Sequence, residues 1–355
     1  MSFSFVFAQV KLVNSGQVIK KGIELYDRGN YPLAINEFLK VHPSDTNYVY
    51  MQSELALACL ANKSYDSAIQ LCETVLKKPS PHRAQMLRIW AIALDRAGKL
   101  SESIAKFNEA IEYYPFSYSI YFNLGVTYFN AKKYGEAERS FMRALEINPF
   151  HPGANLNLAK LSVLKGRRTQ AMLSLGVYLA VQENDNESLV YLESLSKNEV
   201  EDEGSILDDS ANPFVKLDRL LKAKVALEKG FKNKVEVDAA LVKQMELLID
   251  QLPAKDESSF WCRLYYPFYE ELKTNALVEP FIYHILSSSS IESVPKWKSK
   301  NKKQIQDFYN TANASLSLFR KKITTPQKFG YKGSISAWYA DNNNVEALGE
   351  MDANE

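Results

Sequence analysis

The sequence predicts an all-α chain whose first half is a stack of helical hairpins. Three observations carry this. Apolar residues recur at three- and four-residue intervals over most of the chain. In the stretch "YFNLGVTYFNAKKYGEAERSFMRALEINP", residues 121–149, two such segments flank a short break at 131–134, and a proline follows the second. The pattern of that stretch also returns 34 residues earlier, with Tyr121, Leu124, Gly125, Tyr128, Ala137, Phe141, Ala144 and Pro149 answered by Leu87, Trp90, Ala91, Leu94, Ser103, Phe107, Ala110 and Pro115.

Small residues at fixed places let two helices approach, large ones fill the gaps beside them, and the proline stops the second helix. Numbered within a 34-residue repeat, the eight residues from Tyr121 to Pro149 occupy positions 4, 7, 8, 11, 20, 24, 27 and 32. An earlier repeat places Gly22, Leu25, Ala34 and Phe38 at 8, 11, 20 and 24, and the next places Leu55, Ala56, Cys59, Ala68 and Cys72 at 7, 8, 11, 20 and 24. The stretch "KKPSPH" adds one residue before the third repeat. A fifth repeat has Leu158, Ala159, Ser162, Ala171, Leu175 and Tyr178 at 7, 8, 11, 20, 24 and 27 but no closing proline, the decay expected of a terminal repeat. "ESLVYLESLSK" reads as a capping helix.

This pattern resembles the tetratricopeptide repeat (TPR), over about half of the chain. The resemblance implies a TPR superhelix of about five helical hairpins, over residues 15–198 with the cap. Its concave face would be lined by the first helix of each repeat at positions 2, 5, 6, 9 and 12, and would hold an extended peptide or a partner protein. In chaperone-binding members, Lys and Asn at positions 5 and 9 of the first repeat grip a C-terminal carboxylate. Here Ile19 and Ile23 stand there, which counts against a cytoplasmic chaperone adaptor. The candidate groove residues are Arg88, Asn123, Asn157 and Lys160, whose amides and cations can bind a peptide backbone without reading its sequence. The alternative is that they are solvated polar residues on helix faces.

Composition narrows the function. Of 355 residues 46% are hydrophobic, enough for more than one core, and the net charge of +1 sets no field toward nucleic acid. No apolar run is long enough for a transmembrane helix. Three cysteines do not make a disulfide framework, although Cys59 and Cys72, on facing helices of one hairpin, can be either a bonded pair in an exported chain or two small core residues. Residues 1–14 begin with "MSFSFVFAQ", which reads as the end of an export signal without its basic start; a frayed or core-packed segment is the other reading. An exported, periplasmic or envelope-associated location follows from the first reading and a cytoplasmic one from the second.

Beyond the repeats, residues 199–211 are acidic and read as a linker. Residues 212–320 form an aromatic-rich helical domain, with Phe260, Trp261, Leu264, Tyr265, Phe268 and Leu272 on one helix face and His284 a core histidine. Five lysines around Trp297 read as a solvated helix start. Residues 321–355, with Gly333, Trp338, Tyr339, a polar turn and Gly349, are similar to MORN-like, YwqK-type β-hairpin units, except that Asn344 stands at a usual glycine. The whole order resembles uncharacterised exported bacterial TPR proteins.

No phosphate loop, Rossmann glycine triad, G-x-S-x-G elbow or H-E-x-x-H motif is present. His42, His82 and His151 stand beside prolines at repeat junctions. The expectation is a non-catalytic interaction scaffold with no cofactor and no metal. The competing reading is an enzyme with its site in residues 212–320.

Overall fold

The structure is a computed structural model that describes residues 14–197, 199, 213–223, 235–237, 239–252 and 259–323. Among the described residues there are seventeen helices and no strand. The chain divides into two compact units, Met1–Phe116 and Ser117–Glu355.

The first unit holds three hairpins: α1 (Ser15–Asp27) with α2 (Tyr31–Phe38), α3 (Tyr48–Ala61) with α4 (Tyr65–Leu76), and α5 (Arg83–Arg96) with α6 (Leu100–Tyr113). The second opens with two more, α7 (Tyr118–Asn130) with α8 (Tyr134–Ile147) and α9 (Pro152–Leu164) with α10 (Arg168–Val181). The repeat register holds throughout, with the one-residue insertion before the third hairpin. Ala34, Ala68, Ser103, Ala137 and Ala171 at position 20 are fully buried, as are Ala56, Ala91 and Ala159 at position 8. A Cβ on Gly22 would lie 2.3 Å from the Phe38 ring, and one on Gly125 2.6 Å from the Phe141 ring, so positions 8 and 24 are in direct contact.

Each first helix ends in the same way. The residue at position 15 has a left-handed backbone: Gly29, Lys63, Gly98, Lys132 and Gly166, with φ between 57° and 78°. The next amide then reaches back to the carbonyl at position 11, at 2.8–2.9 Å: Asn30 to Leu25, Ser64 to Cys59, Lys99 to Leu94, Lys133 to Tyr128 and Arg167 to Ser162. This five-fold Schellman closure reverses the chain into the second helix. Three of the five positions use glycine, for which the conformation is free of Cβ strain; Lys63 and Lys132 carry that strain.

Seven further helices complete the second unit: α11 (Asn186–Lys197), α12 (Val215–Lys222), α13 (Ala240–Asp250), α14 (Phe260–Thr274), α15 (Val278–Ile285), α16 (Ser293–Lys300) and α17 (Lys302–Ile323). They share one hydrophobic core with α7–α10, running from Tyr118 to Phe308. Helix α10 is its axis, buried at every residue from Arg168 to Leu179. Side chains from distant helices complete its polar groups. Asp218 Oδ1 accepts the Thr169 amide at 2.6 Å, at the start of α10 where amides lack helical partners. Tyr269 Oη donates to Leu173 O at 2.8 Å, and Arg168 Nη1 donates to Leu195 O at 2.8 Å. Tyr265 Oη donates to Asn155 Oδ1 at 2.7 Å and lies 3.0 Å from Ser174 Oγ.

The compact units therefore part between the third and fourth hairpins, at 116 and 117, whereas the sequence pattern draws its boundary at 199–211. Those residues lie outside the described ones apart from Glu199. The physical basis of the division is burial: the last two hairpins bury their apolar surface against α11–α17. The signal-like residues up to 13 lie outside the described residues, and so does the MORN-like segment from 324 onward. Residues 321–323 are the end of α17.

Candidate binding faces of the helical hairpins

The four candidate groove residues fall in both units and in different environments. Arg88 on α5 is buried, with 6% of its surface exposed. Asn123 on α7 is also buried and donates from Nδ2 to Ser119 O at 2.8 Å. Asn157 on α9 is half-buried and donates to Gly153 O at 2.8 Å, and Lys160 on the same helix is exposed. The reading of all four as solvated polar residues is corrected for Arg88 and Asn123. Their side chains pack within their units, which repeat position alone does not reveal.

In the second unit, α14 and α17 pack on α8, and α12, α14 and α15 pack on α10. The added helices thus lie mainly against second helices. The α7–α8 hairpin carries an open cleft of about 240 Å³ lined by Tyr121, Leu124, Tyr128, Glu136, Arg139, Ser140 and Arg143. The Arg143 guanidinium stands 5.8 Å over the Tyr121 ring and donates to Glu146 at 2.8 Å.

In the first unit, Ile23, Leu57 and Ile92 at position 9 of three successive first helices are half-buried. Tyr50 is 39% exposed one turn before Glu54, which is itself half-buried. Burial raises the Glu54 carboxyl pKa, Gln85 opposes the rise, and the Asp27 carboxylate adds to it.

His284 sits in a polar cluster with Glu183, Ser287, Lys298 and Tyr309. It is 2% exposed, with Nε2 3.1 Å from Ala180 O and Nδ1 3.2 Å from Tyr309 Oη. Because a carbonyl only accepts, Nε2 carries the proton and Nδ1 accepts from the tyrosine. Lys298 Nζ donates to Glu183 at 2.8 Å and to Ser287 Oγ at 2.6 Å, and Ser287 Oγ donates to His284 O. The serine proton is thus turned onto a backbone carbonyl, and the lysine is held by a carboxylate. This cluster fastens α15–α17 to the end of α10, in keeping with His284 as a satisfied core histidine.

His151 has a structural task that the sequence hides. It precedes Pro152, and its Nδ1 accepts the Ala154 amide at 3.1 Å, capping α9. Its ring packs 4.6 Å from that of Phe122 and 5.2 Å from that of Tyr118. Burial lowers its pKa from 6.5 to about 4. A folded pKa below the unfolded one means that stability is full above pH 6.5 and is lost as pH falls from 6.5 toward 4, at up to about 1.4 kcal/mol per pH unit. Burial of His82 and His284 acts in the same direction. His151→Asn, which can still cap, is expected to flatten part of that slope in urea unfolding between pH 7 and 4.5; an unchanged slope would contradict the assignment. Cys59 and Cys72 are buried free thiols, and burial pushes Cys59 up to about 11 and Cys72 higher.

The five hairpins repeat one helix–turn–helix unit. Residues 118–151 and residues 19–84 match tetratricopeptide repeat family models, so the chain carries such repeats. It is similar to a thermophilic TPR protein of Thermus thermophilus, at 20% identity over 51% of this chain and 98% of that one, with a TM-score of 0.44. It is also similar to PilW, described as a widely conserved type IV pilus biogenesis factor, at 20% identity over 61% and 96%, with a TM-score of 0.43. The C-terminal part of a TPR repeat-containing protein from Cytophaga hutchinsonii is 14% identical over 78% and 98%, with a TM-score of 0.43. No curated protein matches the chain. No helix among the described residues is long and apolar enough to cross a membrane.

Proposed function

We propose that the chain is a non-catalytic scaffold that holds a peptide or a partner protein along the first helices of its hairpins. Within the second unit Asn157 and Lys160 are the residues that meet it, whereas Arg88 and Asn123 are buried in their own units. The observation that supports this reading best is in the second unit. There α11, α12, α14, α15 and α17 pack on the second helices α8 and α10, while Asn157 and Lys160 on α9 remain half-buried and exposed. An amide at that place bonds a peptide backbone, and an ammonium pairs with a carboxylate.

The test uses a partner captured with the wild-type chain. Asn157→Ala and Lys160→Ala are each expected to weaken its binding by about 0.5–1.5 kcal/mol, the net worth of one hydrogen bond. Their melting temperatures should barely move, because neither residue is buried. Full affinity in the double variant would move the binding face elsewhere. Asn123→Ala is a poorer probe, since it also removes a buried bond to Ser119. The apolar stretch at residues 3–8 further supports an exported, periplasmic or envelope-associated location. A reporter fused after the first hairpin and found only in the cytoplasm would overturn that part.

A further inference from the structure

In the second unit the Glu183 carboxylate, just past the end of α10, is shared. Its Oε1 accepts from Lys298 Nζ at 2.8 Å, lies 3.4 Å from both Tyr309 Oη and Ser287 Oγ, and stands 3.7 Å from His284 Nδ1. These side chains come from α15, the turn behind it, α16 and α17. One ammonium and one imidazole thus face the same anion. While the imidazole is neutral the charges balance, one carboxylate against one ammonium.

The hydrogen bonds also require the neutral ring. Nε2 donates to Ala180 O, and Nδ1 accepts from Tyr309 Oη. A proton from water on Nδ1 would make it a donor and put a second cation beside one carboxylate. Tyr309 would then have to turn its hydroxyl proton away, and Glu183 Oε1 is in reach to accept it. Nδ1–H would in turn face Glu183, which is exposed and open to movement. Helix α16 has most to lose from that exchange. It packs on α15 and α17, and among the described residues its one ion pair to another element is Lys298–Glu183. Its other ties are the buried Val294, the bond from Lys298 to Ser287, and the Trp297 ring lying flat on Tyr283 at 4.0 Å.

We propose that Glu183 is the contact of a proton-operated switch: on acidification His284 takes up a proton and draws Glu183 from Lys298, which loosens α16 and uncovers the stacked rings of Trp297 and Tyr283. The charged and titratable groups that act on the ring are Glu183 from the end of α10, Lys298 from α16 and Tyr309 from α17. Burial lowers the His284 pKa, Glu183 opposes the fall and Lys298 adds to it. The hydrogen bond from Lys298 holds the Glu183 carboxyl below its usual range, so it stays ionised while the histidine titrates. A folded pKa below the unfolded one means that the closed arrangement is fully favoured above about pH 6.5 and loses that advantage as pH falls below it. The switch is local, because α16 lies at the edge of the unit and α10 at its centre. It does not depend on which helix face holds a partner.

The experiment follows amide hydrogen exchange of the full chain at pH 7, 6 and 5, each rate divided by that of the unstructured peptide at the same pH. Protection of α16 should fall by up to about tenfold per pH unit below pH 6.5. His284→Gln keeps a donor for Ala180 O and cannot take up a proton, so its α16 should stay level across the series. Glu183→Gln removes the shared anion, so α16 should already be loose at pH 7 and change little on acidification. The His284 pKa itself, read by NMR of the imidazole, should drop in Glu183→Gln and rise in Lys298→Met, where the competing cation is gone. Constant protection of α16 in the wild-type chain overturns the proposal, and so does an equal fall in His284→Gln. A fall spread equally over α7–α10 marks acid unfolding of the whole unit and overturns it too. If circular dichroism shows that His284→Gln does not fold, the other two variants decide: a His284 pKa unmoved by Lys298→Met, or a wild-type pH response in Glu183→Gln, defeats the switch.

Discussion

Phe281→Ala is expected to destabilise the second unit by about 3–5 kcal/mol. Phe281 is fully buried on α15, and its ring meets Phe268 and Tyr269 of α14 edge-on at 5.9 Å and Phe308 of α17 at 6.0 Å. A Cβ on Gly176 of α10 would come within 3.4 Å of it. Removing the ring leaves a cavity where α10, α14, α15 and α17 converge. The well-packed rings around it cannot close that space without leaving their own contacts. The consequence is specific. Because α7–α10 share this core, their amides should lose hydrogen-exchange protection together with those of α14 and α15, while α1–α6 keep theirs. Undiminished protection of α8–α10 would show that the C-terminal helices fold as an independent body.

Gly125→Leu is expected to cost on the order of 1–3 kcal/mol or more, through overpacking. The first carbon of any side chain at Gly125 would lie 2.6 Å from the ring of Phe141, which is fully buried on the second helix, α8. Leucine is the better helix former by nearly 1 kcal/mol, so the measured loss is what remains after that gain. Phe141→Ala in the same chain should return part of the stability by opening space. A melting temperature unchanged from wild type in the single variant would contradict the contact between positions 8 and 24.

The repeat register was legible because it is local and periodic. Small residues recur at 8 and 20, with a large one at 24 in every hairpin but the second, where Cys72 stands, and the structure buries them in every hairpin. The helix ends were legible in part. Glycine marks position 15 at Gly29, Gly98 and Gly166, but Lys63 and Lys132 adopt the same left-handed turn without any signal of their own. The aromatic face from Phe260 to Leu272 was also readable, since its residues return every three or four places. Helix α10 is rich in apolar residues around its whole circumference, the mark of a helix covered on all sides.

The sequence by itself thus determined the helical class of the described residues, the hairpin unit and which side of each repeat helix meets its hairpin partner. Only the tertiary structure decided what covers what. Tyr265 meets Asn155 across 110 residues, Tyr269 meets Leu173 across 96 and Asp218 meets Thr169 across 49, separations that no repeat period encodes. The same holds for the candidate sites. Repeat positions place Arg88, Asn123, Asn157 and Lys160 on comparable helix faces, yet two are buried and two are not. The Asp27 carboxylate adds to the raised pKa of Glu54 only because α1 and α3 lie side by side. Periodicity states how a helix is turned; burial and charge pairing depend on which other helix is placed against it, and packing settles that.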